Sequence, residues 1–203
     1  VSFLTPSEDE KRTITPNRQK SMEIIVKMNE MLQKLIPDHI GRYDDGFNLN
    51  CVGDTFQALG IPTILFEAGH FPDDYQRENT RELIFYALIE AIQYITSTEI
   101  TGKYTDAYFE IPENEKLHYD VILKNLQTDK KEVFDVGVMY KEILKNGKID
   151  FEPYIEDKKI LKKMFAHNII DFQKANAQSS IFQSFSLDVE VNEYLRKFNK
   201  IDN

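Results

Sequence analysis

The segment PTILFEAGHF (residues 62–71) decides how the first half of this chain is interpreted. Its apolar residues predict a strand at 61–67, and their unbroken succession is typical of a sheet that is buried on both faces. The strand ends on a carboxylate, Glu67, and the small residues Ala68 and Gly69 then turn the chain into His70. A charged side chain directly after a buried strand is expected to have either a catalytic role or a structural partner.

Glu67 is predicted to lie at the carboxyl end of its strand, where open α/β sheets bind their ligands. A carboxylate that loses solvation binds its proton more tightly, and it can then serve as a general base near neutral pH. The alternative is structural, with Glu67 capping the next helix or pairing with an arginine, because carboxylates in structural networks are perturbed as well. Both interpretations stay open from the residues alone.

The elements around this strand follow α/β order. Thr15 before Pro16 is typical of a helix start, and the apolar spacing predicts a helix at 16–36. A turn-rich connection follows from residue 37 to residue 60, and a second amphipathic helix is predicted at 75–97. Asp73 and Asp74 precede that helix and are its candidate caps. One clear strand does not make a sheet, so residues 1–99 are expected to be part of an α/β domain.

The pattern of predicted secondary structure changes after the second helix. Residues 100–116 are predicted to be a linker, and residues 117–203 a small β-rich module. Asn146-Gly147 is the strongest hairpin signal in the chain, because a type I′ turn needs a positive φ at both central residues. A further alternating segment, LDVEVNEYLRKF (residues 187–198), predicts another strand near the end.

Composition excludes several classes of protein. The net charge is −9 and the basic residues are scattered, which argues against a nucleic-acid partner. No apolar run is long enough for a transmembrane helix, so no membrane partner is expected. Cys51 is the single cysteine, which rules out an intrachain disulfide framework and favours a cytoplasmic location. It has no histidine nearby in sequence, so buried packing is preferred over a role as nucleophile.

A longer stretch, GDTFQALGIPTILFEAGHFPDDYQRENTR (residues 53–81) with GRYDDGFNLNCVGD (residues 41–54) before it, resembles a known family. It is similar to the C-terminal half of the catalytic domain of zinc metallocarboxypeptidases, the carboxypeptidase A-like family, and looks closest to a bacterial branch. The resemblance covers residues 1–97. It implies that Glu67 activates a zinc-bound water and passes the proton to the leaving amine. It also implies that Tyr43, in a mobile loop, contacts the substrate, with Asp54 in support.

The zinc ligands of that family, an H-x-x-E pair and a later histidine, do not occur here. None of the four histidines (His39, His70, His118 and His167) begins an H-x-x-E sequence. The resemblance therefore implies that the ligands precede Val1 in a longer parent protein. Zinc is expected in that parent, and no metal ligand is expected in this chain.

Three further side chains are candidates near the site. Arg42 has two interpretations, since it can meet a substrate carboxylate or pin its own loop. Arg81, one helical turn after Arg77, can face an anionic substrate or form salt bridges to acidic neighbours. His70 can ligate a metal together with Asp73, or can be a loop histidine that bonds the backbone or Glu67.

Taken together, the sequence predicts a partial carboxypeptidase-like α/β domain (helix, loop, strand, helix) followed by a small β-rich domain. The expected function is that of the C-terminal portion of a zinc-dependent hydrolase of peptide or related amide bonds, inactive on its own. The alternative is a non-catalytic binding or interaction module. An incomplete sheet also predicts exposed apolar edges, and with them a homo-oligomer formed through the sheet edge.

Overall fold

The computed structural model describes residues 1–127 and 132–173, and the chain divides into two compact units, Val1–Lys116 and Leu117–Asn203. The first unit contains both helices and strands, and the described part of the second unit contains strands. This agrees with the mixed α/β class that the sequence predicts. Within the described residues, no helix combines the length and the apolar character needed to cross a membrane.

The first unit builds a small three-stranded sheet around its first strand. In chain order its elements are β1 (Ser2–Leu4), α1 (Pro16–Leu32), β2 (Gly41–Arg42), α2 (Val52–Ala58), β3 (Leu65–Glu67), α3 (Glu78–Ser97) and α4 (Thr105–Glu110). The central strand β1 pairs with β2 in parallel and with β3 antiparallel, and the core lies between this sheet and the helices α1, α3 and α4.

Helix α1 begins where the sequence predicts it. The Thr15 hydroxyl accepts a hydrogen bond from the Arg18 N–H at 3.3 Å, and Pro16 takes the first helical position, where a missing N–H costs nothing. The helix ends at Leu32, four residues before the predicted end. Its buried stripe packs into the core of the first unit and contains Met22, Ile25, Met28 and Leu32.

Helix α3 starts at Glu78, and the expected cap role of Asp74 is confirmed. The Asp74 carboxylate accepts hydrogen bonds from the N–H groups of Asn79 and Thr80 at 3.1 and 2.9 Å, and from the Thr80 hydroxyl at 2.9 Å. Burial alone raises the pKa of a carboxyl, but these hydrogen bonds hold the pKa of Asp74 below its ordinary value. The start of the helix is thereby fixed just after the segment that carries Glu67.

Three expectations about the first unit are corrected by the structure. The strand predicted at 61–67 and expected to be buried on both faces is β3 alone, and Leu65 is 38% exposed. Within the described residues β3 pairs only with β1, so it is an edge strand with one unpaired edge. The turn-rich region 37–60 contains β2 and α2, and the predicted linker contains α4, whose Tyr108 lies in the core.

The second unit is a four-stranded sheet with much longer strands. Its order is β6-β5-β4-β7, formed by β4 (His118–Gln127), β5 (Val133–Lys145), β6 (Lys148–Lys159) and β7 (Phe165–Asp171). The predicted hairpin is confirmed, since Asn146 and Gly147 join β5 to β6 with φ values of 53° and 74°. Strand β7 adds in parallel to β4. The strand predicted at 187–198 lies outside the described residues.

Candidate functional site

The register of the first sheet decides which candidate side chains share a face. Ser2 of β1 lies opposite Glu67 of β3, while Phe3 lies opposite Phe66. The rings of Phe3 and Phe66 meet edge to face, with 5.2 Å between centroids, inside the core. Because successive side chains of a strand alternate between faces, Glu67 belongs to the face that points away from this core.

Tyr43 belongs to the same face as Glu67. It follows β2 directly, and its N–H donates to the Phe3 carbonyl at 2.9 Å, which continues the ladder between β1 and β2. Arg42 lies opposite Phe3 in this ladder and so belongs to the core face, and Tyr43, the next residue, belongs to the other face. The predicted base, Glu67, ends β3, and the predicted substrate contact, Tyr43, directly follows β2. The two residues therefore lie on the same face of the sheet, with β1 between them.

Glu67 ends an edge strand and stands just before a tight turn. It is half-buried, and Gly69, two residues later, has a φ of 67°. This left-handed conformation favours glycine, so the turn is fixed by the sequence that follows the strand. The carboxylate therefore lies at a defined position with partial access to solvent.

The loop that carries Tyr43 is held by two arginines. The guanidinium of Arg18 is fully buried, donates to the carbonyls of Thr5, Arg12 and Thr13, and pairs with the Asp45 carboxylate. Arg12 lies 3.0 Å from Asp45 as well. The loop after Tyr43 is thus tied to the region between β1 and α1, which keeps Tyr43 in place beside β1.

Sequence reasoning did not identify Arg18, although a signal was available. Residue 18 falls on the same helical stripe as the buried Met22 and Ile25. A cation on an apolar stripe needs a buried partner, because an unpaired buried charge is prohibitively costly. The sequence could therefore have indicated a buried ion pair, but not that Asp45 is the partner.

The Arg42 guanidinium is occupied by structural contacts. Its Nε donates to the Ile111 carbonyl at 2.8 Å, and the group lies over the rings of Tyr108 and Phe109, 5.6 and 5.2 Å from their centroids. It also lies 3.7 Å from Glu113. Of its two interpretations, these contacts favour the one in which Arg42 pins the backbone around it.

The remaining three candidates lie outside the three-stranded sheet, in α2, in α3 and in the loop after β3. Arg81 pairs with Glu78 in the exposed first turn of α3, which matches the salt-bridge interpretation. Asp54 is buried in α2 and accepts the N–H of Asn48 at 3.2 Å, so it supports the loop that leads into that helix. His70 is exposed, three residues after Glu67. Of the six predicted residues, the structure thus places two, Glu67 and Tyr43, on one face of the sheet.

The buried carboxylate Glu23 was also missed and has a structural role. It accepts hydrogen bonds from the Tyr94 hydroxyl at 2.6 Å and from the N–H groups of Thr101, Gly102 and Lys103 at 2.9, 2.5 and 3.3 Å. Burial raises its pKa, but the hydrogen bonds outweigh burial and hold the pKa of Glu23 below the usual value. A carboxylate so fully bonded is poorly suited to accept a proton from a substrate.

The residues of the first unit do not fit the zinc set that the family resemblance implies. Within residues 1–116, all of which are described, no three histidine, cysteine or acidic side chains converge on one point. A catalytic zinc site normally needs three protein ligands and one open position. On the sheet face that they share, Glu67 and Tyr43 offer a carboxylate and a phenol.

Comparison of the whole chain with protein-family models, with curated proteins and with solved structures gave no match.

Proposed function

We propose that this chain supplies the general base of a carboxypeptidase-like hydrolase whose metal-binding half comes from another polypeptide segment. One observation carries the proposal: Glu67 ends an edge strand on the same sheet face as Tyr43. The motif around Glu67 resembles the zinc carboxypeptidases, and this shared face matches the roles that the resemblance implies for both residues. The substrate class is a peptide or a related amide.

The chemistry assigned to this chain is proton transfer and substrate contact. Glu67 takes a proton from the attacking water and delivers it to the nitrogen of the leaving amine, as a general base and then a general acid. The Tyr43 hydroxyl, on a side chain that is 43% exposed, donates a hydrogen bond to the substrate. The metal that the family uses would have to be held by ligands outside residues 1–116.

Two uncovered surfaces of the first unit support a completing segment. Among the described strands β3 pairs only with β1, so its outer edge can accept a further strand. Helix α3 buries one face, yet its other faces expose six large side chains, namely Phe85, Tyr86, Leu88, Ile89, Ile92 and Ile95. A helix that is apolar all round is typical of a protein interior, so a further layer is expected to cover α3.

The same surfaces favour a second candidate function, that of a non-catalytic interaction module. In that case the open edge of β3 and the exposed face of α3 bind a partner, a second copy of the chain included, and Glu67 has no chemical task. Both functions predict that the surface is covered. Only the hydrolase predicts that chemistry depends on Glu67.

Complementation in trans tests the proposal. The chain is mixed with a separately produced zinc-binding half of a carboxypeptidase-like catalytic domain, and peptide shortening is followed by mass spectrometry. We expect loss of the C-terminal residue only when both parts are present. Glu67→Gln should slow the reaction by about 10²–10⁴-fold, the usual contribution of a general base. Glu115→Gln, at an exposed position near the end of the unit, is the matched control and should leave the rate unchanged.

The opposite result separates the two functions. If the parts associate without any hydrolysis, and Glu67→Gln leaves their affinity unchanged, the interaction module replaces the hydrolase. Hydrolysis that proceeds equally well in the Glu67→Gln protein would exclude Glu67 as the base.

A further inference from the structure

Two histidines of the second unit lie side by side on neighbouring strands. His118 begins β4 and lies opposite Phe165 of β7, and the strands run in parallel, so His167 lies two residues further along on the same face. The imidazole rings have 4.6 Å between centroids and an interplanar angle of 64°. A ring nitrogen of one histidine lies within 4.8 Å of a ring nitrogen of the other.

This spacing suits a shared metal ion. Imidazole nitrogens bind first-row transition cations such as Zn²⁺, Ni²⁺ and Cu²⁺. Nitrogen–metal distances are about 2.0–2.1 Å for Zn²⁺, so two such ligands need to be no more than about 4 Å apart. The ring nitrogens, which lie within 4.8 Å of each other, would have to approach to this spacing for both to bind one ion. Both residues are half-buried.

The strands beneath the pair form a stiff support. Strands β4 and β7 are in register from His118–Phe165 to Lys124–Asp171, and β4 is also paired with β5 on its other side. The next carboxylate along β4, Asp120, accepts the backbone N–H of Tyr140 at 2.6 Å. That oxygen is therefore engaged with the sheet.

We propose that His118 and His167 form a two-histidine site for a divalent transition cation in the second unit. The site is independent of the function proposed for Glu67, and it differs from the zinc ligand set of the family resemblance in its residues and in its place in the chain. Its closest rival is simple edge-to-face packing of the two rings with no ion between them.

Metal titration of the full chain with Ni²⁺ tests the site. Equilibrium dialysis should give one bound ion per chain. His118→Ala and His167→Ala should each weaken binding at least about tenfold, since even outer-shell changes at metal sites cost 10–100-fold. His39→Ala, at an exposed histidine of the first unit, should have no effect. Unchanged affinity in both variants of the pair, or binding lost only when His39 or His70 is replaced, would overturn the proposal.

A measurement on the unsubstituted protein removes the ambiguity of a variant that does not fold. Substoichiometric Cu²⁺ broadens the NMR signals of nearby imidazole protons because the ion is paramagnetic. We expect two of the four histidine signals to broaden first, and those two to be the signals of His118 and His167. Equal broadening of all four signals would show only non-specific binding and would refute the pair.

Discussion

The two units of this chain are stabilised in different ways. In the first unit the strands β1, β2 and β3 have two or three residues each, whereas in the second unit the strands have seven to thirteen. A short ladder supplies few hydrogen bonds, and the first unit compensates with buried charged groups that bind distant backbone. Arg18 donates to three carbonyls, and Glu23 accepts from three N–H groups. The second unit relies mainly on its long ladders and the hairpin at Asn146-Gly147, with one comparable buried group among the described residues, Asp135, which accepts from the N–H groups of Asn125 and Leu161.

This difference shows what each unit needs in order to remain folded. A long ladder distributes its hydrogen bonds over many residues, so the loss of one is small. A buried ion concentrates several bonds on a single side chain, and its loss leaves all of those partners unsatisfied. The first unit should therefore be more sensitive to single substitutions at its buried charges than the second unit is at a strand residue that makes only ladder hydrogen bonds.

The largest expected effect comes from Arg18→Met. The change keeps the apolar stem of the side chain but leaves three backbone carbonyls without their donor, and Asp45 keeps only its contact with the partly exposed Arg12. Breaking a buried pair of this kind typically costs about 3–5 kcal/mol. Hydrogen exchange followed by mass spectrometry should show loss of protection across residues 1–116 and unchanged protection in β4 to β7.

Arg12→Met is the matched control for Arg18→Met. The Arg12 side chain is 50% exposed and contacts the same Asp45, so its removal should cost no more than about 1 kcal/mol. If Arg18→Met instead proved neutral or stabilising, the buried charge would not be what holds the first unit, and the contrast between the units would fail.

The features that could be predicted from sequence are those determined by residues close together in the chain. Thr15-Pro16 marks the start of α1, Asp74 caps α3, and Asn146-Gly147 forms the turn of the hairpin. In each case a side chain or a φ preference acts within a few residues of itself, so a short window contains the whole cause.

The features that sequence reasoning missed depend on distant partners. Asp45 is 27 residues from Arg18, and Gly102 is 79 residues from Glu23. Strands of two or three residues such as β1 and β2 show no periodicity, so neither the strands nor their order could be read in advance. The edge position of β3 follows from that order, and the exposure of Leu65 shows that the strand was wrongly expected to be buried on both faces.

Part of the candidate site could likewise be predicted from the sequence, and part could not. The end of a strand at Glu67 can be read from the sequence, but the face that it shares with Tyr43 follows from the register on both sides of β1. His118 and His167 are 49 residues apart and become neighbours only through the parallel pairing of β4 with β7. No local pattern predicts either juxtaposition.

A smaller effect is expected in the second unit from Gly137→Ala. A Cβ at this position would lie 2.5 Å from Cε1 of Tyr119, and the Tyr119 hydroxyl is bonded to Asp157, which limits how far the ring can move. Overpacking of this kind costs about 1–3 kcal/mol. Urea unfolding followed by hydrogen exchange should place the loss of stability in β4 to β7, with residues 1–116 unaffected.

Gly147→Ala separates crowding from backbone strain in the same unit. Nothing lies within 4 Å of a Cβ at this position, but its φ of 74° disfavours any side chain. The cost of that strain is about 1–2 kcal/mol. A Gly137→Ala protein as stable as the unsubstituted chain would mean that the β4–β5 ladder yields easily, which contradicts the stiffness assigned to the second unit.

The smallest effect on stability, and the most informative about surfaces, is expected from Ile92→Lys on α3. Ile92 is 56% exposed, and substitutions at such positions usually change stability by no more than about 0.5 kcal/mol. A lysine in the middle of the exposed apolar face of α3 should nevertheless reduce the binding of a fluorescent apolar dye to the folded protein, because it interrupts the patch.

Ile149→Lys is the matched control for Ile92→Lys, since Ile149 is 67% exposed on β6 in the second unit. Equal losses of dye fluorescence in the two variants would show that α3 has no special surface, and the expectation that a further layer covers this helix would lose its support.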